Sequence, residues 1–193
     1  MPVFLLLVVL LAFEYWDKPP EQWSQDQIET ILTASPWAHI GEGTGRLKGA
    51  PILIYIASAE PLRLAEAELR RRDAKPRRED ILAEDYRAWL AEDGGKHIVI
   101  AVRIADPRAY DDAKEVQRME KECTLKIGRR KTKIDGHFPP SSSDPFVRLA
   151  FLKEGAENEK NLEFDLYIPG VPAPYRTAEF VVKDMLYKGR LNF

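Results

Sequence analysis

Residues 147–151 read VRLAF and residues 162–168 read LEFDLYI, and in both stretches large apolar side chains alternate with charged or smaller ones. Alternation with a period of two is typical of a strand with one buried and one solvated face. The polar residues 154–161 between the stretches predict a turn, so we expect the two strands to form a hairpin. The alternation continues through residues 180–193, which predicts an antiparallel meander in the C-terminal half.

The N-terminal half carries helical signals. Ser24 begins an amphipathic stretch, and Gln27 stands where a capping box needs it. The continuous apolar run at 52–57 and the largely apolar stretch at 97–104 predict buried strands with two helices between them. The sequence therefore predicts a single α+β domain over residues 14–193, with helices packed on a largely antiparallel sheet. For the second of these helices we expect a buried apolar stripe: Ile81, Leu82, Tyr86, Trp89 and Leu90.

The composition excludes several classes of protein. The chain has 193 residues, of which 45% are hydrophobic and 31% charged, so it can bury a core of its own. Lys and Arg number 29 against 31 Asp and Glu, and no aromatic residues are interleaved with the basic clusters, so we expect no nucleic-acid partner. Cys123 is the only cysteine, which excludes an internal disulfide, and its alternation with Leu125 and Ile127 predicts that it is a small core residue.

Residues 2–13 form an apolar run without a charged side chain. A bilayer span needs about 20 residues, so the run suits the apolar part of an export signal. No Lys or Arg precedes it, and Leu10 stands where signal peptidase prefers a small residue, which leaves a retained anchor or a buried strand open. We expect residues 1–13 to be a signal peptide or N-terminal anchor, the protein to be periplasmic or extracellular, and membrane contact to occur only through this segment.

No motif of a nucleophilic, phosphate-binding or metal-binding site occurs, so we expect no metal and no cofactor. His97 begins an apolar strand and is a candidate general base, although a hydrogen bond to a nearby carbonyl would also explain it. Asp135, His137 and Asp144 lie on one loop and would make a metal site if they converged, but ordinary turn chemistry explains them as well.

Four residues are candidates for binding: Trp23, Trp37, Arg129 and Arg130. The tryptophans would anchor a partner or a sugar if exposed, and would fasten the first helix to the domain if buried. The arginines belong to a basic cluster at 126–133, and a second cluster lies at 70–78. Both clusters are typical of solvated turns. The alternative is that they bind an envelope protein or an anionic surface.

Three segments resemble those of a family of small exported bacterial proteins of uncharacterised function. They are KPPEQW at 18–23, SPWA at 35–38 and KDMLYKG at 183–189, which match the patterns K-P-x-E-x-W, S-P-W-A and K-D-M-x-Y-x-G. The resemblance implies that the protein is exported and that one domain includes all three segments. It implies no catalytic residue. We therefore expect a non-enzymatic binding or structural module of the bacterial cell envelope. The alternative is a small hydrolase-like enzyme with an active site around His97 or His137.

Overall fold

The computed structural model describes residues 15–41, 49–73 and 80–193. The predicted export segment 1–13 therefore lies outside the described residues, as does part of the first basic cluster. In the described part, four α-helices are α1 (Gln25–Ala34), α2 (Glu60–Arg72), α3 (Ile81–Glu92) and α4 (Ala113–Glu122). None of the helices in these ranges has the length and apolar character that crossing a membrane requires.

Eleven strands accompany the helices in the described ranges. In chain order they are β1 (Ala38–Gly41), β2 (Ile52–Ile56), β3 (His97–Arg103), β4 (Thr124–Ile127), β5 (Arg130–Lys133), β6 (Gly136–Phe138), β7 (Phe146–Leu152), β8 (Asn161–Tyr167), β9 (Tyr175–Val181), β10 (Leu186–Tyr187) and β11 (Arg190–Leu191). A five-stranded sheet has the order β1-β2-β3-β7-β6, a four-stranded sheet has the order β5-β4-β8-β9, and β10 pairs with β11. Every pairing is antiparallel, so the predicted α+β class is confirmed.

The five-stranded sheet forms the middle layer of the domain. One of its faces packs on the four-stranded sheet, where the ring of Phe151 lies 5.3 Å from that of Phe164. Its other face meets the helices, since Tyr55 contacts Glu66 of α2 and Arg148 lies over the ring of Tyr86 of α3. Because both faces are covered, the first six residues of β3 are all buried.

Local sequence explains how α1 begins. Ser24 Oγ accepts the backbone N–H of Gln27 at 3.1 Å, and Gln27 Oε1 accepts the backbone N–H of Ser24 at 2.9 Å. The predicted capping box is therefore confirmed. The helix ends at Ala34, and Ile28 and Ile31 on its inner face are fully buried.

The predicted hairpin between residues 147–151 and 162–168 is wrong. Strand β7 pairs with β3 and β6 in the five-stranded sheet, whereas β8 pairs with β4 and β9 in the other sheet. The connection between β7 and β8 therefore crosses from one layer to the next. Arg148 and Ala150, which the alternation placed on a solvated face, are buried because the helices cover that face.

The predicted stripe of α3 is wrong at its first two positions. Ile81 is 71% exposed and Leu82 is 41% exposed, whereas Ala83 and Tyr86 are buried. The helix begins at Ile81, and it packs on the sheet through Ala83 and Tyr86, so the first two side chains fall outside the contact. Trp89 and Leu90 pack partly buried against the core.

The tryptophans near the N-terminus belong to the core. Trp16, Trp23 and Trp37 are all buried, and the rings of Trp16 and Trp37 meet edge to face at 5.5 Å. The indole N–H of Trp37 donates to the backbone carbonyl of Asn192 at 2.6 Å. The side-chain oxygen of Asn192 in turn accepts the backbone N–H of Glu60 at 2.6 Å, at the first turn of α2. One C-terminal residue thus joins two N-terminal elements.

The Cys123 thiol is expected to be unreactive in the folded protein. Cys123 is fully buried, which confirms the predicted core role, and burial raises the pKa of its thiol to about 12. At about pH 8, only about one thiol in ten thousand would then be ionised. We expect Ellman's reagent to release no colour from the native protein over an hour and one equivalent in denaturing urea. Rapid labelling without denaturant would contradict the burial of Cys123.

Candidate functional site

A cleft opens between the helix-facing side of the five-stranded sheet and helices α1, α2 and α3. It lies at the end of the sheet where β3 finishes and β7 begins, and its volume is about 520 Å³. Small-molecule sites in proteins usually measure roughly 300–1,000 Å³. Apolar side chains line the cleft, and they come from the sheet, from the loop before β7 and from all three helices: Leu32, Leu53, Leu69, Ala83, Pro145 and Phe146.

The pairing of β2, β3 and β7 builds the floor of the cleft. Tyr55, Ala101 and Arg148 lie directly opposite one another in one cross-strand row. Arg103 lies opposite Phe146 in the next row of the same face, at the end of β3. Because side chains two residues apart share a face of a sheet, both rows point toward the helices.

A buried arginine organises the polar part of the floor. Arg148 is only 4% exposed, and its Nη1 donates to Asp144 Oδ2 at 2.8 Å. Its Nη2 lies 3.5 Å from Glu66 Oε1, which also accepts the hydroxyl of Tyr55 at 2.5 Å. The guanidinium carbon lies 4.5 Å from the centre of the Tyr86 ring, within the range of a cation–π contact.

Arg148 and Tyr55 of this cluster both have raised pKa values. Burial acts to lower the pKa of Arg148, but the negative charges of Glu66 and Asp144 outweigh it and raise that pKa above its ordinary value. Burial, with the carboxylate of Glu66, raises the pKa of Tyr55 well above its usual range. Arg148 therefore stays cationic and Tyr55 stays neutral at physiological pH, so neither group is suited to exchange protons with a substrate.

Asp80 closes one side of the cleft at the start of α3. Its carboxylate accepts the hydroxyls of Ser141 and Ser143, and its Oδ1 accepts the backbone N–H of Ala83 at 3.3 Å. Burial acts to raise the pKa of Asp80, but these donors outweigh it and lower that pKa. Asp80 is thus an ionised helix cap whose acceptor positions are already occupied.

Three further arginines lie around the opening. Arg70 Nη1 is 3.6 Å from Glu66 Oε2, and Arg87 Nη2 is 3.9 Å from Glu84 Oε1. Arg103 is exposed, and it has neither a hydrogen bond nor an ion pair with any residue in the described part of the chain. The positive groups at the opening therefore differ in how far their charge is already neutralised.

His97, the candidate base from the sequence, lies outside the cleft. Its Nδ1 is 3.1 Å from the backbone carbonyl of Asp93, and its Nε2 is 2.9 Å from Asp135 Oδ2. The ring is buried and lies 5.0 Å from that of Trp89. The alternative of a hydrogen bond to a nearby carbonyl is confirmed, and both ring nitrogens face acceptors, so a substrate would have to displace one of them.

The structure does not bring Asp135, His137 and Asp144 together. Asp135 pairs with His97, His137 Nδ1 lies 3.4 Å from Glu120 Oε1, and Asp144 holds Arg148. Across ranges 15–41, 49–73 and 80–193, no cluster of three or more His, Cys, Asp or Glu side chains is arranged to hold a metal ion.

The candidate binding residues fall into two groups. Trp23 and Trp37 are buried, which leaves them no surface for a partner and confirms the alternative that they fasten α1 to the domain. Arg129 is exposed, and Arg130 Nη2 donates to the backbone carbonyl of Glu154 at 2.6 Å. Neighbouring lysines of the β4–β5 hairpin are paired with acids of β8, in the pairs Lys126–Glu163 and Lys131–Asp165.

The first basic cluster lies largely on α2 in the described part of the chain. Arg71 and Arg72 bind the buried Glu68 through hydrogen bonds of 2.6–2.8 Å. Hydrogen bonds from Arg71, opposed by burial, lower the pKa of Glu68 to about 2. Arg72 also donates to the backbone carbonyl of Trp23 at 2.7 Å, so part of this cluster joins α2 to the N-terminal segment.

Sequence reasoning missed the cleft and its polar floor. The available signal was Arg148 itself, a single charged residue within the otherwise apolar strand FVRLAFL. A charge in such a strand is costly unless partners surround it, so it marks a buried polar site when both strand faces are covered. The partners Glu66 and Asp144 come from distant segments that only the fold brings together.

Comparison of the chain with protein-family models, with curated proteins and with solved structures finds no match.

Proposed function

We propose that this protein is a non-enzymatic binding module whose cleft holds a small molecule with an apolar body. The observation that carries the proposal is the cleft of about 520 Å³, with apolar walls supplied by both the sheet and three helices. Small-molecule sites are typically preformed concavities with apolar linings and a few fixed polar groups. Here Arg148, Glu66 and Tyr55 are such fixed groups, since each is held by contacts within the protein.

The state of the polar groups favours binding over catalysis. A general acid or base needs a proton that it can give up or accept near neutral pH. Tyr55 and Arg148 are held far from that condition, and His97 faces an acceptor at each ring nitrogen away from the cleft. Neither His97 nor His137 lines the cleft, so the arrangement favours binding over the hydrolase-like alternative around either histidine.

We also propose that the module works in the bacterial cell envelope. The support is the uncharged apolar run at 2–13 and the resemblance of residues 18–23, 35–38 and 183–189 to segments of exported proteins. Recovery of the full chain from the periplasmic or membrane fraction of a bacterial host tests this placement, and retention of all of it in the cytoplasm would contradict it.

The cleft is expected to bind N-phenyl-1-naphthylamine, a neutral apolar dye whose fluorescence rises when it leaves water. Leu53→Trp should weaken the binding at least about tenfold, because the larger ring fills the cleft. Leu152→Trp is the matched control, since Leu152 is an exposed leucine of the same sheet that does not line the cleft. Fluorescence titration of the folded variants measures both. Absence of binding, or equal binding by Leu53→Trp and the unsubstituted protein, would contradict the proposed function.

A further inference from the structure

We propose that the ligand of the cleft is an amphiphilic organic anion, with a carboxylate head group bound by Arg103 and an apolar body along the walls. The inference rests on the proposed binding function and adds the charge of the ligand and the residue that recognises it.

The carboxylates deep in the cleft already have donors. Glu66 accepts Tyr55 and lies near Arg70 and Arg148, and Asp144 accepts Arg148. These two carboxylates and two guanidinium groups balance in charge. A cationic ligand would have to displace internal donors to reach either carboxylate, which costs the hydrogen bonds that are already made. Asp80 is likewise occupied, by Ser141, Ser143 and the N-terminus of α3.

The carboxylates at the opening also have local partners. Glu84 lies 3.9 Å from Arg87, one helical turn away. Glu29 Oε1 accepts the side-chain amide of Gln25 at 3.2 Å on the exposed side of α1. The negative groups of the cleft are therefore matched by donors of the protein itself.

Arg103 is the exception among the charged groups that line the cleft in the described ranges. It makes no hydrogen bond and no ion pair with a described residue, so its guanidinium donors have no partner within residues 15–41, 49–73 and 80–193. A guanidinium matches a carboxylate through two parallel hydrogen bonds, which makes Arg the favoured side chain for this recognition. Arg103 is thus the one cation of the cleft without a partner among the described residues, and its guanidinium has the geometry that a carboxylate needs.

The position of Arg103 in the cleft, and not only its charge, suits an amphiphilic ligand. Arg103 ends β3 and lies directly opposite Phe146 in the sheet. Leu53, Leu69 and Phe146 line the same cleft. A carboxylate on Arg103 at the opening would therefore leave an attached chain or ring to pack against these apolar side chains, away from water.

Three ten-carbon probes test the charge preference. Decanoate, decan-1-ol and decyltrimethylammonium share one chain length and differ in the head group, and each is titrated against bound N-phenyl-1-naphthylamine. We expect decanoate to displace the dye at a concentration about tenfold lower than decan-1-ol, and the cation to be the weakest of the three. Equal displacement by all three would overturn this inference and leave the proposed function standing, whereas failure of dye and probes alike to bind would overturn both.

Two matched substitutions test the assignment to Arg103. Arg103→Met should abolish the preference for decanoate over decan-1-ol and leave the affinity for decan-1-ol within about twofold. Arg87→Met is the control, because Arg87 is an exposed arginine of the same cleft whose charge is balanced by Glu84. It should keep the preference. The same loss in both variants, or a preference that survives Arg103→Met, would overturn the role of Arg103.

Discussion

The substitution Arg148→Met is expected to lower the free energy of unfolding by about 3–5 kcal/mol at neutral pH. Methionine fills much of the volume of arginine, but it leaves Asp144 and Glu66 without the cation that lies 2.8 and 3.5 Å from them. Removing one partner of a buried ion pair is costly because the remaining charge stays out of water without compensation. Urea-induced unfolding followed by far-ultraviolet circular dichroism measures the loss.

Two further variants separate the ion pair from a general effect of losing an arginine. Arg103→Met removes an exposed arginine from the same face of the sheet and should change the stability by less than about 0.5 kcal/mol. Adding Asp144→Asn to Arg148→Met should recover part of the loss, since it removes an unpaired charge. A loss below about 1 kcal/mol in Arg148→Met would show that water or Arg70 replaces the buried guanidinium.

The substitution Trp37→Ala is also expected to cost about 3–5 kcal/mol, the usual range for deleting a buried large aromatic side chain. Trp37 is fully buried, packs on Trp16, and donates its indole N–H to the carbonyl of Asn192. The loss should appear in urea unfolding. Amide exchange should also accelerate at Asn192, whose N–H donates to the carbonyl of Met185.

Trp37→Phe distinguishes packing from the hydrogen bond. Phenylalanine retains most of the apolar contact and lacks the N–H donor, so we expect a loss of about 1–2 kcal/mol together with the same acceleration at Asn192. If Trp37→Phe is as stable as the unsubstituted protein and exchanges no faster at Asn192, then the contact with Asn192 contributes nothing to stability.

Elements coded by nearby residues could be predicted from the sequence. The capping box of Ser24 and Gln27 involves residues three positions apart, and the strand predicted at 97–104 is centred on the apolar run 98–102. The burial of Cys123 was predicted from its alternation with Leu125 and Ile127. In each case the signal and the structure that it produces lie within a few residues of each other.

The sheet partner of β7 and the cleft depend on distant residues. Alternation along residues 147–151 indicated a strand, but it carried no information on whether β3 or β8 lies beside it. It also carried no information on the helices that cover the side of Arg148. The cleft could not be predicted from the sequence for the same reason, since its walls come from separate helices and strands whose spacing is set by packing.

The bridge made by Asn192 bears on the order in which the chain folds. Asn192 follows Trp37 by 155 positions and Glu60 by 132, so a ribosome makes both N-terminal partners long before it makes this residue. Contacts between residues far apart in the chain form late and slowly, because a long loop must close first. During most of synthesis, Trp37 and the first turn of α2 would therefore lack their hydrogen bonds to Asn192. In that period their apolar surface is open to chaperones.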